Sequence, residues 1–233
     1  MYNERENISR ALESAGVITA QLGLDDYEIL VVDDGSRDGS DRVVEEWVRR
    51  NGHIRLVRHP NNLGYGAALR TGFTQATRQV VFYTDSDLPA GLSDLPRALS
   101  LLQDADLVIG YRVKRHETLR RALYSRVYNR LMRLLFDVRV RDVNFSFKLV
   151  RRSVLDCIRL TATTVFIDGQ LLAEAHGHGF RIAEMPVTYW PRRYGRSSFD
   201  SLRVAWETLR EMLAHWRSGL APQSSAGRQA RRM

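Results

Sequence analysis

Cysteine is almost absent from this chain. Cys157 alone excludes an internal disulfide and any cysteine-ligated metal cluster, and it fits a reducing compartment. Lysine is scarce as well: of 35 basic residues only Lys114 and Lys148 are lysine. Nearly all the positive charge is therefore guanidinium, which stays ionised and grips phosphate through two bonds. No apolar run approaches the roughly 20 residues that span a bilayer, and the opening residues do not read as a secretory leader. There is no internal repeat and no nucleic-acid-binding motif. The net charge of +8 points to polyanions. Without such a motif, nucleic acid is not the expected partner. An anionic membrane surface and phosphorylated substrates remain.

What is present is a chain of 233 residues, 44% apolar, enough for one large domain with a sizeable core. Ile8, Leu12, Ala15 and Leu22 recur at helical spacing and predict a helix over about 6–22. Apolar runs predict strands at Tyr27–Val32, Ile54–Arg58, Val80–Thr84 and Asp106–Gly110. Helices are expected from Ser40, over Ala67–Ala76 and over Leu92–Leu102. Such alternation predicts an α/β fold with a mainly parallel sheet and helices on both faces. Further on, strands are expected at Asp142–Arg151 and Arg181–Tyr189, flanking a helix near Asp168–His176.

Two stretches are amphipathic. His116–Phe136 places Leu123, Val127, Leu131 and Leu134 on one side among interleaved arginines, the pattern of a membrane-surface helix or of a docked helix with a solvated basic face. Phe199–Trp216 has Leu202, Ala205, Trp206, Leu209, Met212, Leu213 and Trp216 along one side. The division expected is a domain over 1–200 that includes the basic helix at about 116–136, a C-terminal amphipathic helix over 201–217, and a disordered basic tail over 218–233.

The chemistry concentrates at two strand ends. Val80–Thr84 runs into Asp85-Ser86-Asp87-Leu88, and ligands of open α/β sheets bind beyond the carboxyl ends of strands. Two oxygen donors one residue apart suit Mg²⁺ or Mn²⁺ bridging substrate phosphates; the plain alternative is a polar exit from a strand. Tyr27–Val32 runs into Asp33-Asp34-Gly35-Ser36, where a carboxylate can accept from ribose hydroxyls or base N–H groups. Here the plain alternative is a capping cluster, because Asp34, Ser36, Asp38 and Ser40 are all good helix caps.

Taken together, Tyr2-Asn3-Glu4, Val31-Val32-Asp33-Asp34-Gly35-Ser36, Asn62-Leu63-Gly64 and Asp85-Ser86-Asp87-Leu88 resemble the family 2 glycosyltransferases of GT-A (Rossmann-like) fold. Gly110-Tyr111-Arg112, Arg121…Ser125…Asn129, Asp142-Val143-Asn144-Phe145-Ser146-Phe147-Lys148, Glu184-Met185-Pro186-Val187 and Arg192…Gly195-Arg196-Ser197 narrow this. They look like the dolichyl- and polyprenyl-phosphate mannose and glucose synthases. The resemblance covers roughly 1–200. It implies that Tyr2, Asn3, Glu4, Asp33, Asp34, Gly64, Asp85 and Ser86 bind a nucleotide-diphosphate sugar, GDP-mannose or UDP-glucose. Asp85 and Asp87 would hold Mg²⁺ or Mn²⁺. Asp87, Asp142, Arg112 and Lys148 would form the catalytic set. Arg121, Arg192, Arg196 and Ser197 would receive the phosphate of a polyprenyl acceptor. The implied protein is peripheral on the inner, cytoplasmic face of a membrane.

Three departures stand out. The apolar strand that precedes Tyr-Asn-Glu in the family is absent, which would leave backbone groups of Ile29–Val32 and Val80–Thr84 unpaired; a misassigned start or a truncation explains it most simply. Pro89 stands where many relatives have Gln, and Ser198 where many have a phosphate-binding Lys. Phe147-Lys148 leans toward the glucose type. Two other readings stay open. One is transfer to a hydroxyl acceptor, with Asp142 or Asp168 as base. The other is an inactive relative that only binds.

Overall fold

The computed structural model describes residues 1–88, 91–113, 119–189 and 202–219; the side chains of 119–121 and 202 are not described. Pro89, Lys114, Arg192, Arg196, Ser197, Ser198 and the tail from 220 lie outside the described residues, as does the start of the expected 116–136 helix.

The elements alternate as the hydrophobic runs require: α1 (Arg5–Gln21), β1 (Ile29–Asp33), α2 (Ser40–Arg50), β2 (Ile54–Arg58), α3 (Tyr65–Gln75), β3 (Val80–Thr84), α4 (Leu95–Leu101) and β4 (Leu107–Arg112). Then come α5 (Leu119–Phe136), β5 (Phe147–Arg151), α6 (Arg152–Cys157), α7 (Phe166–Gly177), β6 (Ile182–Val187) and α8 (Leu202–Arg217). The α/β expectation holds. β1 and β2 pair in parallel, and the second sheet runs β3-β5-β4-β6 with β4 and β6 parallel. β5 departs from the parallel rule, running antiparallel to both β3 and β4.

That one reversed strand matters for the site. It sets Lys148 directly opposite Tyr83 on one side and Ile109 on the other, and directly opposed residues share a face of the sheet. Lys148 therefore projects with Tyr83 toward α7, whereas Phe147 and Leu149 point into the cluster formed with α4.

The strand expected over 142–151 begins only at Phe147. Its first half is bent into a loop by other demands on its backbone. The Asn129 side chain donates to the Arg141 carbonyl and accepts from the Val143 N–H, and the Phe145 carbonyl accepts from both the Phe147 N–H and Lys148 Nζ. The six-residue α6 was not foreseen.

β1 and β3 belong to separate sheets, with no strand between them among the described residues. Met1 makes one bridge beside β1: its nitrogen donates to the Val32 carbonyl at 2.6 Å, and its carbonyl accepts from the Asp34 N–H at 2.9 Å. This is the bonding of a single parallel step opposite Asp33.

Of the α5 stripe expected from sequence, Leu131 packs against the core, whereas Leu123, Val127 and Leu134 are exposed. Met132 and Phe136 are buried, with Tyr128 and Leu135 packed beside them. Gly169 of α7 admits this contact, since a Cβ there would lie 2.5 Å from the Tyr128 hydroxyl.

Candidate active site

At the β1 tip, both carboxylates are buried and bound to the protein's own backbone. Asp34 accepts from the Leu63 and Gly64 N–H groups, each at 2.9 Å, and contacts His59 Nδ1 at 2.7 Å, while His59 Nε2 lies 2.9 Å from the Thr71 hydroxyl. Asp34 thus fastens the Asn62-Leu63-Gly64 turn. Gly64 has φ +95°, which favours glycine, and a Cβ there would lie 3.1 Å from the Thr163 carbonyl. Asp33 accepts from the Ser36 N–H, and Asp38 caps the start of α2 through the Ser40 N–H.

Tyr2-Asn3-Glu4 is stapled to the same loop. The Asn3 N–H donates to Ser36 Oγ and the Glu4 N–H to Ser40 Oγ, both at 2.9 Å, and the Asn3 side chain accepts from the Arg37 N–H. Tyr2 is exposed. The Met1 amino group is buried between this tip and β3. Burial lowers its proton affinity, against the pull of Asp33, Asp85, Asp34 and Glu4. Asp33 and Asp34 of the β1 tip, Asp85 of the β3 tip and Glu4 thus all act on this one amino group.

At the β3 tip, the Leu88 N–H returns to the Asp85 carbonyl at 3.1 Å, closing a turn over Asp85-Ser86-Asp87. Leu88 has φ +49°, an uncommon conformation for a residue with a Cβ. Two anchors hold it there: its side chain packs into two core clusters, and Arg10 of α1 donates to the Asp87 carbonyl at 3.2 Å. Among the described residues no three His, Cys, Asp or Glu side chains gather as a closed metal cage. Two carboxylates on one turn fit Mg²⁺ or Mn²⁺ instead, with coordination completed by phosphate oxygens and water.

Beneath this turn lies a buried charge array. Lys148 and Asp168 are both buried; Nζ lies 2.6 Å from Asp168 Oδ1 and donates at 2.7 Å to the Phe145 carbonyl. Asp168 also accepts from the Tyr83 and Tyr65 hydroxyls, the latter at 3.1 Å. Burial lowers the Lys148 pKa to about 7, opposed by the charges of Asp142 and Asp85. Burial raises the Tyr65 pKa, with the charges of Asp168, Asp85 and Asp87 adding to it. Beside the array, Arg112 at the end of β4 grips buried Asp142 through two bonds, 2.7 Å from Nε and 3.1 Å from Nη2. Its guanidinium lies 5.5 Å from the Phe145 ring centre and 5.6 Å from that of Tyr189.

Of the residues named from sequence, Glu4, Asp33, Asp34 and Asp85 act on the Met1 amino group, Asp85 and Asp142 act on Lys148, and Arg112 is paired with Asp142. Arg121 lies on α5, its side chain not described, and Arg192, Arg196 and Ser197 lie outside the described residues. Tyr65, Tyr83 and Arg10 carried no signal in the sequence. Asp168 carried one: it is the sole acid in the apolar run Phe166–Leu172, where an ionised group requires partners.

Two helices turn apolar residues outward. On α5, Leu123, Val127 and Leu134 are 58%, 50% and 68% exposed, among exposed Arg126, Arg130 and Arg133. On α8, Trp206 and Trp216 are 67% and 48% exposed, beside Arg203, Arg210 and Arg217. The His215 ring of α8 sits 5.8 Å from Phe136 of α5 and 5.6 Å from Phe166 of α7, so the ends of the two helices meet. Glu211 of α8 accepts from the N–H and hydroxyl of both Thr163 and Thr164, and the Thr163 carbonyl accepts from the Gly66 N–H of α3. No helix among the described residues is long and apolar enough to cross a membrane.

Comparison with known proteins bears on this arrangement. Undecaprenyl-phosphate 4-deoxy-4-formamido-L-arabinose transferases from two strains of Klebsiella pneumoniae are 28% identical over 207 residues, 88% of this chain and 62% of theirs. The chain spans about three fifths of the length of these curated relatives. Glucosyl-3-phosphoglycerate synthase from Mycobacterium tuberculosis, solved with phosphoglyceric acid, superposes with a TM-score of 0.68 at 19% identity, over 97% of this chain and 79% of that one. The same enzyme solved with Mn²⁺, UDP and glucosyl-3-phosphoglycerate gives 0.68 at 20% identity, over the same shares. These likenesses show the GT-A fold. The family model described as glycosyl transferase family 2 matches residues 1–159, which include both acidic strand tips, Arg112, Asp142 and Lys148, and the chain belongs to that family.

Proposed function

We propose that the protein is an inverting glycosyltransferase that moves a hexose, mannose or glucose, from a nucleotide-diphosphate sugar to a polyprenyl phosphate. The observation that carries this reading is that Asp85 of the β3 turn and Asp142, itself gripped by Arg112, both act on the buried Lys148. The relatives from Klebsiella pneumoniae are undecaprenyl-phosphate sugar transferases, which supports the acceptor class. The UDP and Mn²⁺ complexes of the structural neighbour support the donor class.

In this reading Asp85 and Asp87 hold Mg²⁺ or Mn²⁺, which supplies the charge that makes the nucleotide diphosphate a good leaving group. Glu4, Asp33 and the Gly64 turn border the nucleoside, with Asp34 shaping that turn from behind. The acceptor phosphate, with its second pKa near ~6, is mostly dianionic at neutral pH and attacks without a base. Basic groups have only to hold two anions together: Arg112 from β4, and by resemblance Arg121, Arg192 and Arg196. One displacement inverts the anomeric carbon. Transfer to a hydroxyl acceptor fits less well. Asp142 is committed to Arg112 through two bonds, and Asp168, although burial raises its pKa well above the usual carboxylate range, is buried among three donors.

The exposed Leu123, Val127, Leu134, Trp206 and Trp216, ringed by arginine, support seating of α5 and α8 on an anionic membrane face, peripheral and cytoplasmic. The test incubates the protein with Mn²⁺, undecaprenyl phosphate and, in turn, GDP-mannose, UDP-glucose and a UDP-linked 4-deoxy-4-formamido-L-arabinose, and scores lipid-extractable sugar. Transfer from a hexose donor supports the reading. Transfer only from the arabinose donor corrects the sugar, an α-linked product from an α-linked donor refutes inversion, and no transfer from any donor refutes the activity.

A further inference from the structure

Asp168 has no place in the steps above, yet this buried acid holds three donors. It stands in the first turn of α7, a helix otherwise buried in apolar residues. Its three donors come from three elements, and each sits beside a part of the candidate site. Tyr83 lies two residues before Asp85, Tyr65 follows Gly64, and Lys148 lies across the ladder from Tyr83. The Lys148 ammonium also lies 5.2 Å from the Tyr83 ring centre.

Stability does not account for this arrangement. Removing a lysine and a carboxylate from water is costly, and apolar residues of the same volume are often as stable or more so. What such a pair does provide is a charge at a fixed point. The other charges acting on Lys148 are those of Asp142 and Asp85, both in the candidate site. Lys148 itself is fully buried, with one bond to the Phe145 carbonyl and one to Asp168, so it is not placed to grip a phosphate directly.

We infer that Asp168 is a positioning residue: with Tyr65 and Tyr83 it fixes the Lys148 ammonium beneath Asp85 and Asp142, so that a nucleotide diphosphate settles over a built-in cation. This rests on the donor-site reading above and assigns Lys148 a role from below in place of direct phosphate contact.

The test measures binding by calorimetry, with UDP and GDP as probes, each with Mn²⁺. The proteins are the unmodified chain, Asp168→Asn, Lys148→Met, the double variant, and Asp87→Ala as a control on the metal turn. Thermal unfolding is followed in parallel. Asp168→Asn and Lys148→Met are each expected to weaken nucleotide binding about tenfold, and the double variant no more than either single one, because the first unfixes and the second removes the same ammonium. Tyr65→Phe, which removes one donor at nearly constant volume, is expected to weaken it by about two- to threefold. Affinity within twofold of the unmodified chain in Asp168→Asn, with only the melting temperature lowered, would make the residue structural and overturn the inference. If Asp168→Asn does not fold, unchanged affinity in Lys148→Met overturns it equally. Failure of the donor-site reading looks different: the unmodified chain binds neither nucleotide, or Asp87→Ala binds as well as the unmodified chain, and the inference then falls with it.

Discussion

The two acidic strand tips look alike in sequence and differ in use. At β1 the carboxylates of Asp33 and Asp34 are buried and accept bonds from Ser36, Leu63 and Gly64, with His59 beside Asp34. They shape the loop that surrounds them. At β3 the turn is shaped from outside, by Arg10 on the Asp87 carbonyl and by Leu88 in the core, and Asp85 and Asp87 are half-buried over Lys148 and Tyr65. A pair of acids at a strand end is therefore not one feature. The first is a fastener; the second is a charge placed where a solute can reach it, and its geometry is maintained at the expense of a left-handed leucine.

The contrast predicts separable losses. Asp87→Ala is expected to lower sugar transfer by about 10²- to 10³-fold with a melting temperature near that of the unmodified chain. A large drop in stability instead would make the β3 tip a fastener too. Arg112→Ala leaves Asp142 buried without its bidentate partner and is expected to cost about 3 kcal/mol in chemical denaturation. Asp34→Ala should reverse the pattern of Asp87→Ala. It strands the Leu63 and Gly64 N–H groups and is expected to cost about 2 kcal/mol of stability, with transfer by the remaining folded protein changed less than by Asp87→Ala. Trp206→Ala with Trp216→Ala is expected to reduce co-sedimentation with anionic vesicles about fivefold and to leave unfolding unchanged, since both rings are exposed; equal sedimentation with neutral vesicles would remove the membrane from the reading.

The smallest effect concerns acid. Burial alone would raise the Glu211 pKa, but the donors on Thr163 and Thr164 outweigh it and hold the carboxyl below its ordinary 4.5. A lowered folded value means that this stabilisation is complete above about pH 4.5 and is lost as pH falls through the folded pKa. Glu211→Gln is expected to flatten that acidic limb in a melting series. Because Glu211 ties α8 to the loop on which Gly66 rests, weaker vesicle binding at low pH should vanish in the same variant.

Much of the fold was legible because hydrophobic periodicity is a local property. Ile54–Arg58 and Val80–Thr84 have the bounds their apolar runs imply, and the alternation of strand and helix is evident without coordinates. What failed were stretches whose backbone answers to distant partners. Residues 142–146 have strand-like composition but give their polar groups to Asn129 and Lys148. Leu123, Val127 and Leu134 were readable as a stripe; that the core would take Met132 and Phe136 was not, because Gly169 of α7 decides which face of α5 can approach.

The sequence by itself determined an α/β chain with carboxylates at the ends of two strands and a surplus of guanidinium. Those facts follow from residue type and short-range spacing. Only the tertiary structure decided that Asp34 serves a turn, that Arg112 is matched to Asp142, and that Lys148 answers to Asp168. Each of those pairings joins residues 20 or more positions apart. A buried charge has to find its partner in space, and nothing in the neighbouring sequence specifies which one that is.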